Sequence, residues 1–180
     1  MTDKTRSIDL ATISLRDALD LAVLVEEEAK DRYEEFADQM EIHHNFDAAK
    51  FFRFMLAIEA KHESRLAERR HRLFWDAPRT VTRAMIFDIE APEYDEARAT
   101  MTVRQALEAS LRAETKAFEF FEAAAGQAQM KDVQDIFVEL RDEEWEHQAL
   151  VRREIERLPP EAAAPGGGGG GDDEEEIVAL

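Results

Sequence analysis

Apolar residues recur every three to four positions along most of this chain, in four long stretches separated by polar segments. This period predicts amphipathic α-helices, because residues three and four positions apart lie on one face of a helix. The composition of the four stretches also favours helix, since they are rich in Ala, Leu, Glu and Arg. We predict four helices, over residues 14–40, 47–73, 102–125 and 131–158.

The connections between the predicted helices differ in length. The first and second helices are joined by a short polar loop, as are the third and fourth, so each pair is expected to form an antiparallel hairpin. The second and third are separated by residues 76–101, enough chain to run the length of a bundle. We therefore predict an all-α fold, a ferritin-like four-helix bundle built from two hairpins with one long crossover. Part of the crossover, residues 79–89, is expected to form a short helix.

Glycine and proline divide the chain into unequal parts. Gly126 is the only glycine before residue 166, and six glycines then follow in a row. We predict an N-terminal extension over 1–13, a helical domain over 14–158, and a flexible linker with an acidic and apolar tail over 159–180. The final segment 172–180 reads DDEEEIVAL. It is either a solubilising extension or a tethered docking peptide anchored by its apolar end.

Charge and cysteine content exclude several classes of function. The chain has 41 Asp and Glu against 23 Lys and Arg, a net charge of −18, which disfavours nucleic acid and anionic membranes as partners. The absence of cysteine excludes disulfides, iron–sulfur clusters and a thiol nucleophile. No apolar run approaches the roughly 20 residues that a membrane helix needs, and the N-terminus lacks a signal-peptide segment. We expect a cytoplasmic protein without membrane insertion.

The two halves of the helical region resemble each other in sequence. The first predicted helix aligns with the third, and the second aligns with the fourth. The alignment pairs Glu26 with Glu114, Tyr33 with Phe121, Glu59 with Glu144, and His62 with His147. A duplicated helical hairpin is the simplest explanation of this match.

The paired polar residues lie on the apolar stripes of their helices, where they point toward the core. Four buried carboxylates without compensation would cost several kcal/mol each, and no Lys or Arg shares these stripes. Two divalent cations would balance their four negative charges. In Glu-x-x-His both side chains lie on one helix face. A Glu from each of two helices, with Glu-x-x-His from each of the other two, is the ligand set of di-iron carboxylate bundles.

We therefore predict a site for two irons, with manganese as the alternative, since oxygen-rich ligands with one imidazole per metal suit either ion. The predicted ligands are Glu26, Glu59, His62, Glu114, Glu144 and His147. Tyr33 lies two turns after Glu26 on the same stripe. It either packs in the core, donates a hydrogen bond to a ligand carboxylate, or has a redox role.

Residues next to the predicted ligands are expected to lie outside the site. Glu63, Glu143 and Glu146 adjoin ligands in sequence, but adjacent residues on a helix point in different directions. We predict that they are solvated, with the alternative that they line a path for iron. Trp75 and Trp145 are expected to pack in the core.

Four segments carry a resemblance to the rubrerythrin branch of the ferritin-like superfamily: EEEAKDRYEEFA at 26–37, EAKH at 59–62, AETKAFEFF at 113–121 and EEWEH at 143–147. The likeness covers residues 14–158. It implies that the six predicted ligands hold two irons, with Glu59 and Glu144 as bridges between them.

The chain also departs from the rubrerythrin pattern. It has no cysteine for a rubredoxin domain, so it resembles an erythrin, a rubrerythrin-like domain without that electron donor. The positions three residues from Glu114, where the family has an additional ligand Glu, are Leu111 and Ala117. Phe121 stands where the repeat would place a second tyrosine.

The expected function is oxidation of Fe(II) with O2 or H2O2 by a di-iron oxidoreductase, in iron handling or peroxide detoxification, with the six ligands and Tyr33 as its catalytic residues. The main alternative is an iron-binding cargo or adaptor docked to a shell or transporter through 172–180. A non-enzymatic helical bundle and a di-iron oxygenase acting on an organic substrate also stay open. A homodimer is expected, because such bundles commonly dimerise and because Phe51 and Phe120, expected to be exposed at the edges of their stripes, indicate a partner surface.

Overall fold

The structure, a computed structural model, describes residues 8–86, 89 and 101–159. Within these residues it has five helices and no strand: α1 (Leu15–Ile42), α2 (Phe46–Phe74), α3 (Arg83–Ile86), α4 (Val103–Gln127) and α5 (Lys131–Arg157). The all-α, ferritin-like architecture is confirmed. Most of the crossover and the segment 160–180 lie outside the described residues, so the linker and docking tail remain predictions.

The four long helices begin and end within two residues of their predicted bounds. Local capping explains the starts. The Ser14 hydroxyl accepts the Asp17 N–H at the start of α1, and Thr102 and Gln105 form a reciprocal capping box at the start of α4. The short helix predicted in the crossover is present as α3, one turn long.

Helix pairs α1–α2 and α4–α5 form two closely packed hairpins, and the hairpins meet through α2 with α4 and α1 with α5. The interior holds two separate apolar clusters. One contains Leu21, Phe121 and Phe137, and the other contains Phe36 and Phe52. On all four long helices, the predicted ligand glutamate falls in sequence between the residues of the two clusters. The polar residues are therefore placed midway along the bundle.

A buried ion pair joins the two helices of the first hairpin. Arg70 Nε donates to Asp20 Oδ1 at 2.8 Å, and the remaining guanidinium nitrogens donate to the carbonyls of Trp75 and Ala77. Asp20 is fully buried and Arg70 is 8% exposed. This pair fixes the C-terminal end of α2, where Trp75 takes a positive φ of 50°. Sequence reasoning missed it.

Several predictions about aromatic side chains were wrong. Phe51 is buried rather than exposed, because it packs in the cluster with Phe52, and Phe120 is half-buried. Conversely, Trp75 and Trp145 are 72% and 60% exposed and do not pack in the core.

No helix among the described residues is both long and apolar enough to cross a membrane.

Candidate metal centre

The six predicted ligands come from all four long helices and meet in the interior of the bundle. Glutamates 26, 59, 114 and 144 are fully buried, and His147 is 6% exposed. Three overlapping groups of acidic and histidine side chains place their ligand atoms within 4.8 Å of one another. The groups are Glu26–His62–Glu143, Glu59–His62–His147 and Glu114–Glu144–His147.

His62 is surrounded by three carboxylates. Its Nδ1 lies 4.0 Å from Glu26 Oε2, 3.8 Å from Glu59 Oε2 and 3.9 Å from Glu143 Oε2. Two ligands bonded to one divalent cation at about 2.1 Å lie no more than about 4.2 Å apart. These three distances therefore suit ligands of one cation. We call this set the His62 half of the centre.

His147 has an equivalent set of neighbours, which we call the His147 half. Its Nδ1 lies 3.1 Å from Glu114 Oε2, 3.4 Å from Glu144 Oε2 and 3.8 Å from Glu59 Oε1. The imidazole rings of His62 and His147 stack with centroids 4.9 Å apart and an interplanar angle of 7°. Glu59 thus presents one oxygen to each histidine, the placement that a bridging carboxylate needs.

Glu143 corrects the sequence prediction, since it faces the His62 half and is not fully solvated. Its side chain is 16% exposed. A helix period of 3.6 residues lets both Glu143 and Glu144 share the inward face with His147, at four and three positions before it. That spacing was the signal in the sequence that could have found it. Glu63, by contrast, pairs with Lys30 outside the cluster, and Glu146 is exposed.

Tyr33 belongs to the cluster through a hydrogen bond. Its hydroxyl donates to Glu114 Oε1 at 2.7 Å, while Glu114 Oε2 contacts His147. Among the alternatives drawn from the sequence, the structure places Tyr33 on a ligand carboxylate, and a redox role remains a prediction. At the repeat-related position, Phe121 packs on Phe137 in the apolar core. The two halves are therefore chemically unequal.

The buried carboxyl groups differ in their tendency to ionise. Burial raises the pKa of Glu26 to about 8 and raises the pKa of Glu144 well above its usual range, with the nearby Glu114 adding to the shift. Burial also acts on Glu114, but its hydrogen bonds with His147 and Tyr33 outweigh burial and lower its pKa. Without a cation, the cluster thus retains protons on part of its carboxylates near neutral pH.

The two histidines have opposite pKa shifts. Burial lowers the pKa of His62 to about 4. Burial acts on His147 in the same direction, but the hydrogen bond and negative charge of Glu114, with further negative charge from Glu59 and Glu26, raise its pKa to about 9. His62 is therefore neutral at pH 7 and ready to bind a metal, whereas His147 must release a proton first.

The donor atoms fit a metal centre. Both carboxylate oxygens of Glu26 and of Glu144, and Nδ1 of His62, are buried without a hydrogen bond of ordinary geometry among the described residues. Buried polar atoms are otherwise almost always satisfied. The oxygens of Glu26 and Glu144 lie against other carboxylates instead, which repel one another once ionised. Divalent cations would satisfy these atoms and remove the repulsion.

A cavity of 630 Å³ opens beside the two histidines between α2 and α5. Its walls include Ile58, Trp145, Glu146, Leu150 and Arg153, and both imidazoles line it. The exposed positions of Trp145 and Glu146 follow from this arrangement. A small molecule can therefore approach the cluster from this side without opening the bundle.

Comparison with known proteins agrees with this geometry. The family model described as rubrerythrin matches residues 17–155. A solved structure of an uncharacterised conserved protein from Magnetospirillum magnetotacticum MS-1 is 28% identical, covers 84% of this chain and 100% of that one, and superposes with a TM-score of 0.64. No curated protein matches the chain.

Proposed function

The chain belongs to the rubrerythrin family, and from that premise we propose that it is a non-haem di-iron oxidoreductase that oxidises Fe(II) with O2 or H2O2. The observation that carries the proposal is the convergence of four fully buried glutamates and two histidines, without a matching set of cationic side chains among residues 8–86, 89 and 101–159. The expected role is iron handling or peroxide detoxification. The six ligand assignments made from the sequence are part of this proposal.

The residues present would hold one ion in each half. Glu26 and His62 would bind the first, Glu114, Glu144 and His147 the second, and Glu59 would reach both. Four carboxylates balance the charge of two divalent ions. Oxygen donors with one imidazole for each metal suit iron, and manganese is the alternative.

When bound, the two ions would supply the electrons and polarise the oxidant. Reduction of one H2O2 to two waters takes two electrons and two protons, which two Fe(II), oxidised to Fe(III), and the solvent would supply. The protein supplies the binding groups and their orientation. Tyr33 fixes the direction of Glu114 through its hydrogen bond, and the apolar clusters on both sides of the centre limit the access of water. The cavity beside His62 and His147 admits the oxidant.

Rapid mixing tests the proposal. The anaerobic chain loaded with two equivalents of Fe(II) is mixed with O2 or H2O2, and the ultraviolet absorbance of Fe(III) is followed. We expect fast oxidation in the native chain, loss of it in Glu59→Ala and Glu144→Ala, and native behaviour in Glu156→Ala, the same change at an exposed glutamate of α5. Oxidation no faster than that of free Fe(II) with either oxidant would contradict the enzymatic proposal.

A further inference from the structure

We propose that Glu143 is a seventh metal ligand, specific to the His62 half, and that Arg65 competes with the metal for it. This inference rests on the proposed function, since it concerns the same centre. It adds a residue that neither the sequence repeat nor the Glu-x-x-His pattern contains. It also predicts that the two metals bind with different affinities.

Glu143 lies within reach of both the His62 half of the centre and the guanidinium of Arg65. Its Oε2 lies 3.9 Å from His62 Nδ1, and its ligand atoms group with those of Glu26 and His62. On the other side, Arg65 forms a two-pronged contact with Glu143, at 2.5 Å to Oε1 and 2.6 Å to Oε2. Glu26 is fully buried, and neither of its oxygens has a hydrogen bond of ordinary geometry within the described part of the chain, which points to a cation in this same half.

Arg65 can release Glu143 to a metal because it has a second carboxylate nearby and is partly exposed to water. The four core glutamates already balance two divalent ions, so Glu143 adds one negative charge, which Arg65 offsets in the metal-free chain. Arg65 also contacts Glu139, at 3.6 Å. Release of Glu143 therefore leaves the guanidinium with a second carboxylate. Because Arg65 is 45% exposed, water also solvates it, and the exchange costs little.

The other half of the centre has no such residue. The repeat position of Glu143 in α2 is Ile58, which cannot bind a metal. In the His147 half, Glu114 is held by Tyr33 instead. A substitution at residue 143 should therefore affect one metal and spare the other, an effect that a general loss of surface charge would not produce.

Calorimetric titration of the full chain with Mn(II) under anaerobic conditions tests the proposal. Mn(II) is used because traces of O2 oxidise it far less readily than Fe(II). In the native chain we expect two binding steps. Glu143→Gln should weaken one step about tenfold or more and leave the other within about twofold. Glu156→Gln, the same change at an exposed glutamate of α5, serves as the matched control and should leave both affinities within about twofold of the native values.

Arg65→Gln tests the competition from the opposite side. It should tighten the step that Glu143→Gln weakens, and the gain should disappear in the double variant that lacks both groups. An equal gain with and without Glu143 would overturn the competition. Two unchanged affinities in Glu143→Gln would overturn the assignment of the ligand.

Two measurements distinguish a failure of this inference from a folding defect and from a failure of the proposed function. Circular dichroism of the metal-free variants reports whether they fold. If Glu143→Gln does not fold, Arg65→Gln alone tests the proposal. Tighter binding in one of the two Mn(II) steps of Arg65→Gln would then support it, and two unchanged steps would overturn it. Failure of the native chain to bind two metals would contradict the di-iron function itself. Two native sites that are insensitive to Glu143 would overturn this inference alone.

Discussion

Two regions of this bundle bury charged side chains, and they are neutralised in different ways. At one end, Asp20 meets Arg70, whose guanidinium also donates to two backbone carbonyls. Midway along the bundle, four fully buried glutamates face one another with histidines, Tyr33 and a half-exposed Arg65 as neighbours. The first region contains its own cation, whereas the second does not contain enough positive charge.

This difference distinguishes structural burial of charge from a binding site. The charge of Asp20 is balanced within the folded chain by the guanidinium that donates to its Oδ1. A group of carboxylates that raises its own pKa values and leaves oxygens without donors is costly to ionise. A bound cation would remove that cost, and we therefore place the proposed metal site midway along the bundle.

The largest expected effect is at the self-neutralised region. Arg70→Met should lower the free energy of unfolding of the metal-free chain by about 3–5 kcal/mol, because it leaves Asp20 buried without its cation. Denaturant unfolding measures this, with Arg69→Met as the control, since Arg69 forms a more exposed pair with Glu139 and should cost under about 1 kcal/mol. Equal costs for the two variants would contradict the distinction.

The second effect is the pH dependence of stability in the metal-free chain. Between pH 6.5 and 8 the unfolded chain has Glu26 ionised, while its His147 goes from half protonated to neutral. The folded chain keeps a proton on each, with pKa values of about 8 and 9. Raising the pH thus favours unfolding, and the free energy of unfolding should fall by about 2 kcal/mol or more over this range.

Thermal unfolding at a series of pH values measures this fall. Glu26→Gln should reduce the slope, because the amide does not titrate. Metal binding should reverse the trend, since cations displace the protons and bind more tightly as the pH rises. A metal-free stability that rises from pH 6.5 to 8 would show that these groups are not buried as described.

A smaller effect is expected at Tyr33. Tyr33→Phe removes the hydroxyl that donates to Glu114 and should lower the free energy of unfolding by about 1.5 kcal/mol. The variant should also weaken metal binding in the His147 half more than in the His62 half. Titration with Mn(II) separates the two, and equal weakening of both steps would mean that Tyr33 acts only through packing.

The fold was predictable because the apolar pattern and the caps agree. Long stretches with a period near 3.6, bounded by Ser14 and Thr102, determine where α1 and α4 begin, and the unequal loops determine which helices form hairpins. Exposure at the ends of helices was less predictable. Trp75 lies outside the core because α2 ends there with a positive φ, which the apolar pattern does not report.

The part of the candidate site that could be predicted is the part that occurs in both halves of the sequence. The matched Glu and Glu-x-x-His positions identified residues that the structure brings together. Glu143 was missed because its counterpart in the repeat is Ile58, so duplication gave no signal. Asp20 was missed because its partner, Arg70, lies 50 residues away, and pairing over that distance depends on how α1 and α2 pack.

The central claim is that two metal ions neutralise the carboxylates in the middle of the bundle. Elemental analysis of the full chain after anaerobic reconstitution with Fe(II) and removal of loosely bound ions tests this most directly. The account predicts two irons per chain in the native protein and fewer in Glu59→Ala, with Glu156→Ala, a change at an exposed glutamate, unchanged. A native chain that retains no iron or manganese, or the same amount as Glu59→Ala, would contradict it.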